Sequence, residues 1–253
     1  PRISRDVPAP AGCIEHTFHG AGVALKGWYC DAGAAEYSFS AAPAEDAPAS
    51  NRAGQDGIEH IWGYAQALMT AEERHGFQTG KHLHWGSFLK DKARIDQMIK
   101  ESIARGAYLN PTLVYELGSQ SKLARKHEND IYDVYRNAAL MTYYPRNLAD
   151  SLLLKFRAVR TFSSGYENPV PLANLAPKDL QEFKEAFRLS QEFTKRWVDL
   201  GGKIIGGTDD PSIGTCGLSV HMEMAMLVEA GLTPMQALQA MTLWGAEMLT
   251  ARK

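Results

Sequence analysis

The chain has 253 residues, 27 Lys and Arg against 29 Asp and Glu, a net charge of −2 and 45% hydrophobic content. That length supports one large domain with a full core, read as a single unit over 1–253, or two small ones. The near-neutral balance, without a basic run, argues against a nucleic-acid partner, and no apolar stretch approaches the roughly 18 residues of a membrane span.

The N-terminus, PRISRDVPAPAG, is polar and proline-rich and has no signal-peptide pattern. It lacks a methionine, so the chain is expected to be a fragment or a processed product. Cys13, Cys30 and Cys216 are scattered with no C-x-x-C, the pattern of free thiols in a reducing, cytoplasmic setting. His16 and His19 stand three apart, which a strand would send to opposite faces. Residues 31–50 are rich in Ala, Ser and Pro and read as loose. AEDAPASNRA suggests a short helix, and AGQDGIEHIWG (53–63) a Gly-Gln-Asp-Gly turn entering a strand that ends at Ile58-Glu59-His60. His82 and His84 form a His-x-His in what reads as a polar loop. His75 and His127, in charged stretches, are expected to be exposed.

Residues 91–106 place Ile95, Met98, Ile99 and Ile103 on one helical face, and Gly106 fits a terminator. AYLNPTLVYE then reads as a strand reaching Pro111 and Thr112, with Tyr115 and Glu116 at its end. Residues 163–179 read as a loop or lid, to which 140–147 contribute. Residues 178–202 repeat the helical plan with Leu180, Phe183, Phe187, Trp197 and Leu200, stopped by Gly201-Gly202. The strand KIIGG runs into Asp209-Asp210-Pro211, where the residue before proline leaves helical space. A last helix starts at Thr233 with Pro234 at N1 and Gln236 at N3, a capping box. Its expected buried face is Leu238, Met241, Gly245, Met248 and Leu249. Helices alternating with short apolar strands predict a parallel sheet with helices outside, whose chemistry gathers at the strands' C-terminal ends. His60 and Asp209 each fall at such an end.

AGQDGIEHIWG resembles the AG-x-D-x-IEHG segment of metal-dependent amidohydrolases, particularly the prolidase and imidazolonepropionase-like branch. GGKIIGGTDDP followed by HMEMAMLVEAGLTPMQALQAMTLWGAEML is similar to the last strand and helices of that superfamily over about fifty residues. IARGAYLNPTLVYE resembles the strand between them, and PRI and GVALKGWYCDAG resemble strands three and four. The resemblance implies an incomplete (β/α)8 barrel of the TIM type, with strands 3 or 4 to 8 present and strands 1–2 and a β-sandwich missing. It implies one or two divalent metal ions, zinc by preference, held by His60 and Asp209, with Lys26 as a carboxylated ligand or a plain strand-end lysine. Asp209 would also take the proton of the attacking water. By position, Tyr115 is an expected substrate contact or a tyrosine packed under a loop, and His221 an expected substrate contact or a cap at the helix start. Imidazole and carboxylate donors suit zinc, which makes water nucleophilic near neutral pH.

The superfamily's His-x-His on strand one and histidine on strand five have no counterpart here. The expected activity is metal-assisted hydrolysis of an amide, cyclic amide or related C–N bond in a small-molecule substrate. The alternative is a catalytically incompetent remnant with a binding role. Half a barrel would leave sheet edges open, so a homo-oligomer is expected.

Overall fold

The computed structural model describes residues 13–20, 23–30, 57–78, 84–117, 120–143, 146, 176–208 and 217–250. The elements are β1 (Cys13–Gly20), β2 (Val23–Cys30), β3 (Gly57–Glu59), α1 (Trp62–Leu68), α2 (Ala71–Gln78), a 3₁₀ turn (Trp85–Phe88), α3 (Lys92–Ala104), β4 (Tyr108–Asn110), α4 (Leu113–Leu117), α5 (Ala124–Arg136), α6 (Ala138–Met141), α7 (Pro177–Asp199), β5 (Lys203–Ile204), α8 (Leu218–Glu229), α9 (Pro234–Ala240) and α10 (Leu243–Thr250). Among the described residues no helix is long and apolar enough to cross a membrane.

β3, β4 and β5 form a parallel sheet in that order. The register aligns Ile58, Leu109 and Ile204 across it, and all three are buried. Helical crossovers separate these strands in sequence, as parallel neighbours require. Around the row lies one core that includes Ile61, Tyr64, Ile99, Leu113, Phe193, Trp197, Met226 and Leu227.

The incomplete (β/α)8 barrel is not what these residues form. They are mostly helical, with a three-stranded parallel sheet and a separate two-stranded one. Two local causes are visible. The stretch expected to supply strand four, Val23–Cys30, pairs antiparallel with Cys13–Gly20, and two residues connect them. Such a connection makes a hairpin, because parallel neighbours need a crossover of a dozen residues or more. AYLNPTLVYE is also a strand only over Tyr108–Asn110, and it turns at Pro111 and Thr112 into α4. Tyr115 and Glu116 are therefore helical residues and not strand ends. Strands of three, three and two residues give the parallel sheet little length with which to curl.

Helix ends follow the sequence closely. Asp91 caps α3 by accepting from the Arg94 N–H at 3.0 Å, and α3 buries Ile95, Met98, Ile99 and Ser102. Its chain exits through Gly106 at φ 82°, the left-handed position that glycine takes at no steric cost. α7 buries Phe183, Phe187, Phe193 and Trp197, and Arg196 pairs with Asp96 of α3 through two hydrogen bonds of 2.6 and 2.5 Å. The capping box at Thr233 and Gln236 is present on both sides.

The expected single C-terminal helix is instead broken after Ala240. Thr242 turns its hydroxyl onto the Leu238 carbonyl, and α10 starts at Leu243. Leu238 consequently lies 48% exposed, and Ala237 and Ala240 face the core in its place. Met241, Gly245 and Met248 are half-buried against the sheet, and the Leu249 side chain lies outside the described residues. A methyl at Gly206 would collide with Met241, one at Gly57 would collide with Met248, and one at Gly245 would press on Ile205.

His84 and His127 also differ from expectation. Both are buried, at 0% and 4% exposure, whereas His75 is exposed. The Gly86 N–H donates to His84 Nδ1 at 3.0 Å, and the ring packs against Trp85 and Phe183. Burial pushes its pKa down from 6.5 to about 3. The folded state therefore holds a neutral ring where the unfolded chain would bind a proton below pH 6.5. Its contribution is fully present above that pH and is lost as pH falls towards 3. We expect stability to decline in this window by up to about 1.4 kcal/mol per pH unit from this residue. In His84→Asn, which keeps an acceptor for Gly86, urea titrations between pH 6.5 and 4.5 should show a flatter decline; an unchanged slope would remove His84 as its source.

Candidate functional site

The C-terminal ends of the three parallel strands gather the polar residues of interest. His60 follows β3 directly, and its N–H donates to the Asn110 carbonyl at 2.8 Å, carrying the ladder one step past the strand. Beyond Asn110, Pro111 removes a donor and Thr112 turns the chain. His60 Nδ1 and Thr112 Oγ1 lie 2.6 Å apart, both residues buried.

Both also hold left-handed backbone, with φ of 61° at His60 and 45° at Thr112. Each such position costs about 1–3 kcal/mol, most for a β-branched residue, and persists where the surroundings enforce it. Strain of this kind concentrates at active sites and ligand clamps. Here two strained residues are joined by one hydrogen bond.

The Tyr115 ring lies 5.7 Å from the His60 ring at an interplanar angle of 47°. Below them stands Glu223 of α8, with 0% exposure. Its carboxylate accepts from the N–H groups of Leu113 at 3.0 Å and Val114 at 2.8 Å. These are first-turn donors of α4, which a helix cannot satisfy internally. Burial raises the Glu223 pKa from 4.5 to about 7, against the opposing pull of the two N–H groups and of His60. Nearby, the Asn110 amide donates to the Glu59 carboxylate, and a side chain at Gly207 would collide with that amide. Asn110 Oδ1 is buried with no hydrogen-bond partner among the described residues.

The expected site residues fare differently. His60 lies at the strand ends, as its position after a short strand implied. Tyr115 is beside it, carried there by α4. Asp209 lies outside the described residues, which reach Thr208. The stretch leading to it departs from the same end of the sheet: the Ile205 N–H donates to the Leu109 carbonyl and the Gly206 N–H to Ala240, both at 2.8 Å. Lys26 is the fourth residue of β2 and pairs with Thr17 in the hairpin, so it is an interior strand position and not a strand end. His221 is exposed on α8. The loose segment 31–50 and residues 163–175 of the expected lid are outside the described residues, and part of the 140–147 stretch is the helix α6.

No protein-family model and no curated protein matches the chain.

Glu223 is the participant that sequence reading passed over. His221 and Glu223 are two positions apart, about 200° around a helix, so the exposed histidine and the buried glutamate belong to opposite faces. The signal was an acid between Met222, Met226 and Leu227, on a face too apolar to leave a carboxylate unpartnered.

Among the described residues no group of three or more His, Cys, Asp or Glu stands together at metal-holding spacing. The donors at the strand ends nevertheless fit a divalent metal in kind: an imidazole, carboxylates and an unpartnered amide oxygen. With Nδ1 engaged by Thr112, ligation by His60 would run through Nε2. Fixing one ring nitrogen by hydrogen bonding is the usual way a ligating histidine is oriented.

Proposed function

We propose that this chain is a metal-dependent hydrolase acting on an amide, cyclic amide or related C–N bond of a small molecule, with chemistry of the amidohydrolase kind. The observation that carries the reading is His60, held in strained left-handed backbone at the C-terminal end of a parallel strand and pinned there by Thr112. A fold has little reason to maintain two such positions beside a buried carboxylate unless the imidazole's orientation matters.

In this reading His60 and Asp209 hold the metal, zinc by preference, while Lys26, inside the separate hairpin, is not among the ligands. A divalent ion, when bound, supplies a Lewis acid that makes water nucleophilic near neutral pH. Thr112 orients the His60 ring. Asp209 accepts the proton of the attacking water. Tyr115 lines the substrate pocket beside His60, while His221, on the face of α8 opposite Glu223, takes no part in it. Glu223 anchors the first turn of α4 and so sets where Thr112 and Tyr115 sit. A homo-oligomer, covering the edges β3 and β5, is part of the same proposal.

The test is elemental analysis of protein prepared with added zinc, alongside amide and ester hydrolysis, for the parent chain and Asp209→Ala. The expected result is higher metal content in the parent and hydrolysis that both a chelator and the substitution remove. Equal metal content and equal hydrolysis in the two proteins would overturn the reading.

A further inference from the structure

Cys13 and Cys30, which look unrelated in the sequence, stand directly opposite each other at the open end of the β1–β2 hairpin. Gly20 and Val23 are partners, so two residues connect the strands. A connection of that length carries its own hydrogen bond from the carbonyl of its first residue to the N–H of its fourth, which makes Gly20 and Val23 a bonded pair. Bonded and non-bonded pairs then alternate along an antiparallel ladder. His19 with Ala24 is non-bonded and Phe18 with Leu25 bonded. Following the same register, Thr17 with Lys26, Glu15 with Trp28 and finally Cys13 with Cys30 fall on non-bonded pairs. At such pairs the Cα atoms are about 4.5 Å apart, the closer of the two spacings. A disulfide spans Cα separations of about 4.4–6.8 Å. Both the pairing and its phase therefore suit a covalent bond.

We propose that Cys13 and Cys30 form a cross-strand disulfide site, closed by exchange with a small-molecule disulfide of the glutathione class. One cysteine thiolate attacks the small disulfide, forming a mixed disulfide and releasing one small thiol. The second cysteine thiolate attacks the protein sulfur of that mixed disulfide and releases the other small thiol. The two protein thiols are oxidised, the small disulfide is reduced, and the two protons pass to the released thiolates. The closed bond clasps the hairpin at the end opposite its turn. It fixes the register that sets Lys26 against Thr17, since a one-residue slip would send every side chain to the other face.

The test uses the full chain, incubated in its folded state with oxidised glutathione, alkylated, and digested with trypsin without reduction. Cleavage after Lys26 separates the cysteines into Asp6–Lys26 and Gly27–Arg52, while Cys216 lies in a distant peptide. The expected result is loss of two of the three thiols, one linked pair of these two peptides, and an alkylated Cys216. Cys216→Ser should give the same pair, and Cys13→Ser should stop at a glutathione adduct on Cys30. Cys216 in the linkage, two separately alkylated peptides, or stable glutathione adducts on the parent chain would each overturn the proposal.

Discussion

Trp197→Ala should lower the unfolding free energy by about 3–5 kcal/mol, the range for removing a buried aromatic. Trp197 has 0% exposure and lies on α7 where that helix meets α1 and the sheet. Its ring stands 5.8 Å from Tyr64 and 6.3 Å from Phe193, and Tyr64 is itself 5.1 Å from Phe193. The three rings form one cluster, so truncating the largest leaves a cavity that its stiff neighbours fill poorly. The indole N–H also donates to the Lys203 carbonyl at 3.0 Å, tying the end of α7 to the start of β5. Trp197→Phe keeps much of the volume and loses that bond, so a smaller loss is expected, with about 1 kcal/mol from the bond itself. Leu238→Ala, at a half-exposed position, should stay within about 0.5 kcal/mol of the parent. Urea denaturation at one pH measures all three. A Trp197→Ala loss no larger than that of Leu238→Ala would show that the cluster does not bear on global stability.

His60→Ala should reduce metal content and lower turnover by at least about 100-fold if the proposed function holds. Thr112→Val keeps the branched shape and the same backbone demand while deleting the hydroxyl that meets His60 Nδ1. Loss of an outer partner of a metal-binding histidine costs about 10–100-fold in affinity or activity, and a similar loss is expected here. The two substitutions are read by elemental analysis and by hydrolysis across a zinc titration. Added metal should restore part of the Thr112→Val loss, because the imidazole remains, and none of the His60→Ala loss. A His60→Ala protein with the parent's metal content and turnover would remove His60 from the site.

The fold was legible where one local rule decided the outcome. The periodic faces of α3 and α7, the glycine after α3, the capping box at Thr233 and the apolar centres of β3, β4 and β5 all follow from sequence spacing. Failures came where distant residues decide. Thr112 and Tyr115 read as strand because nothing nearby reveals that Glu223 will satisfy the first turn of α4. Val23–Cys30 read as a parallel strand by resemblance alone, which carries no information about its antiparallel partner Cys13–Gly20. His84 read as a loop residue because its neighbours Glu182 and Phe183 come from another part of the chain. At the site, His60 was legible from its place after a short strand. Glu223 was not, because the N–H groups it serves, of Leu113 and Val114, lie 110 and 109 positions away in the chain.

The bonds from Glu223 to Leu113 and Val114 span 110 and 109 positions of sequence. A five-residue helix is far below the length that sustains itself in water. α4 therefore has no independent existence during synthesis, and its order is set by the arrival of α8. Closing so long a loop has an entropic cost that local contacts do not meet, which places this step late in folding. Until then the turn at Thr112 has nothing to enforce its backbone, and His60 has no fixed partner. A nascent chain stopped short of residue 223 would carry β3, β4 and α3 in sequence and still lack the assembly at their ends. Assembly of this site is thus coupled to completion of the C-terminal part of the chain.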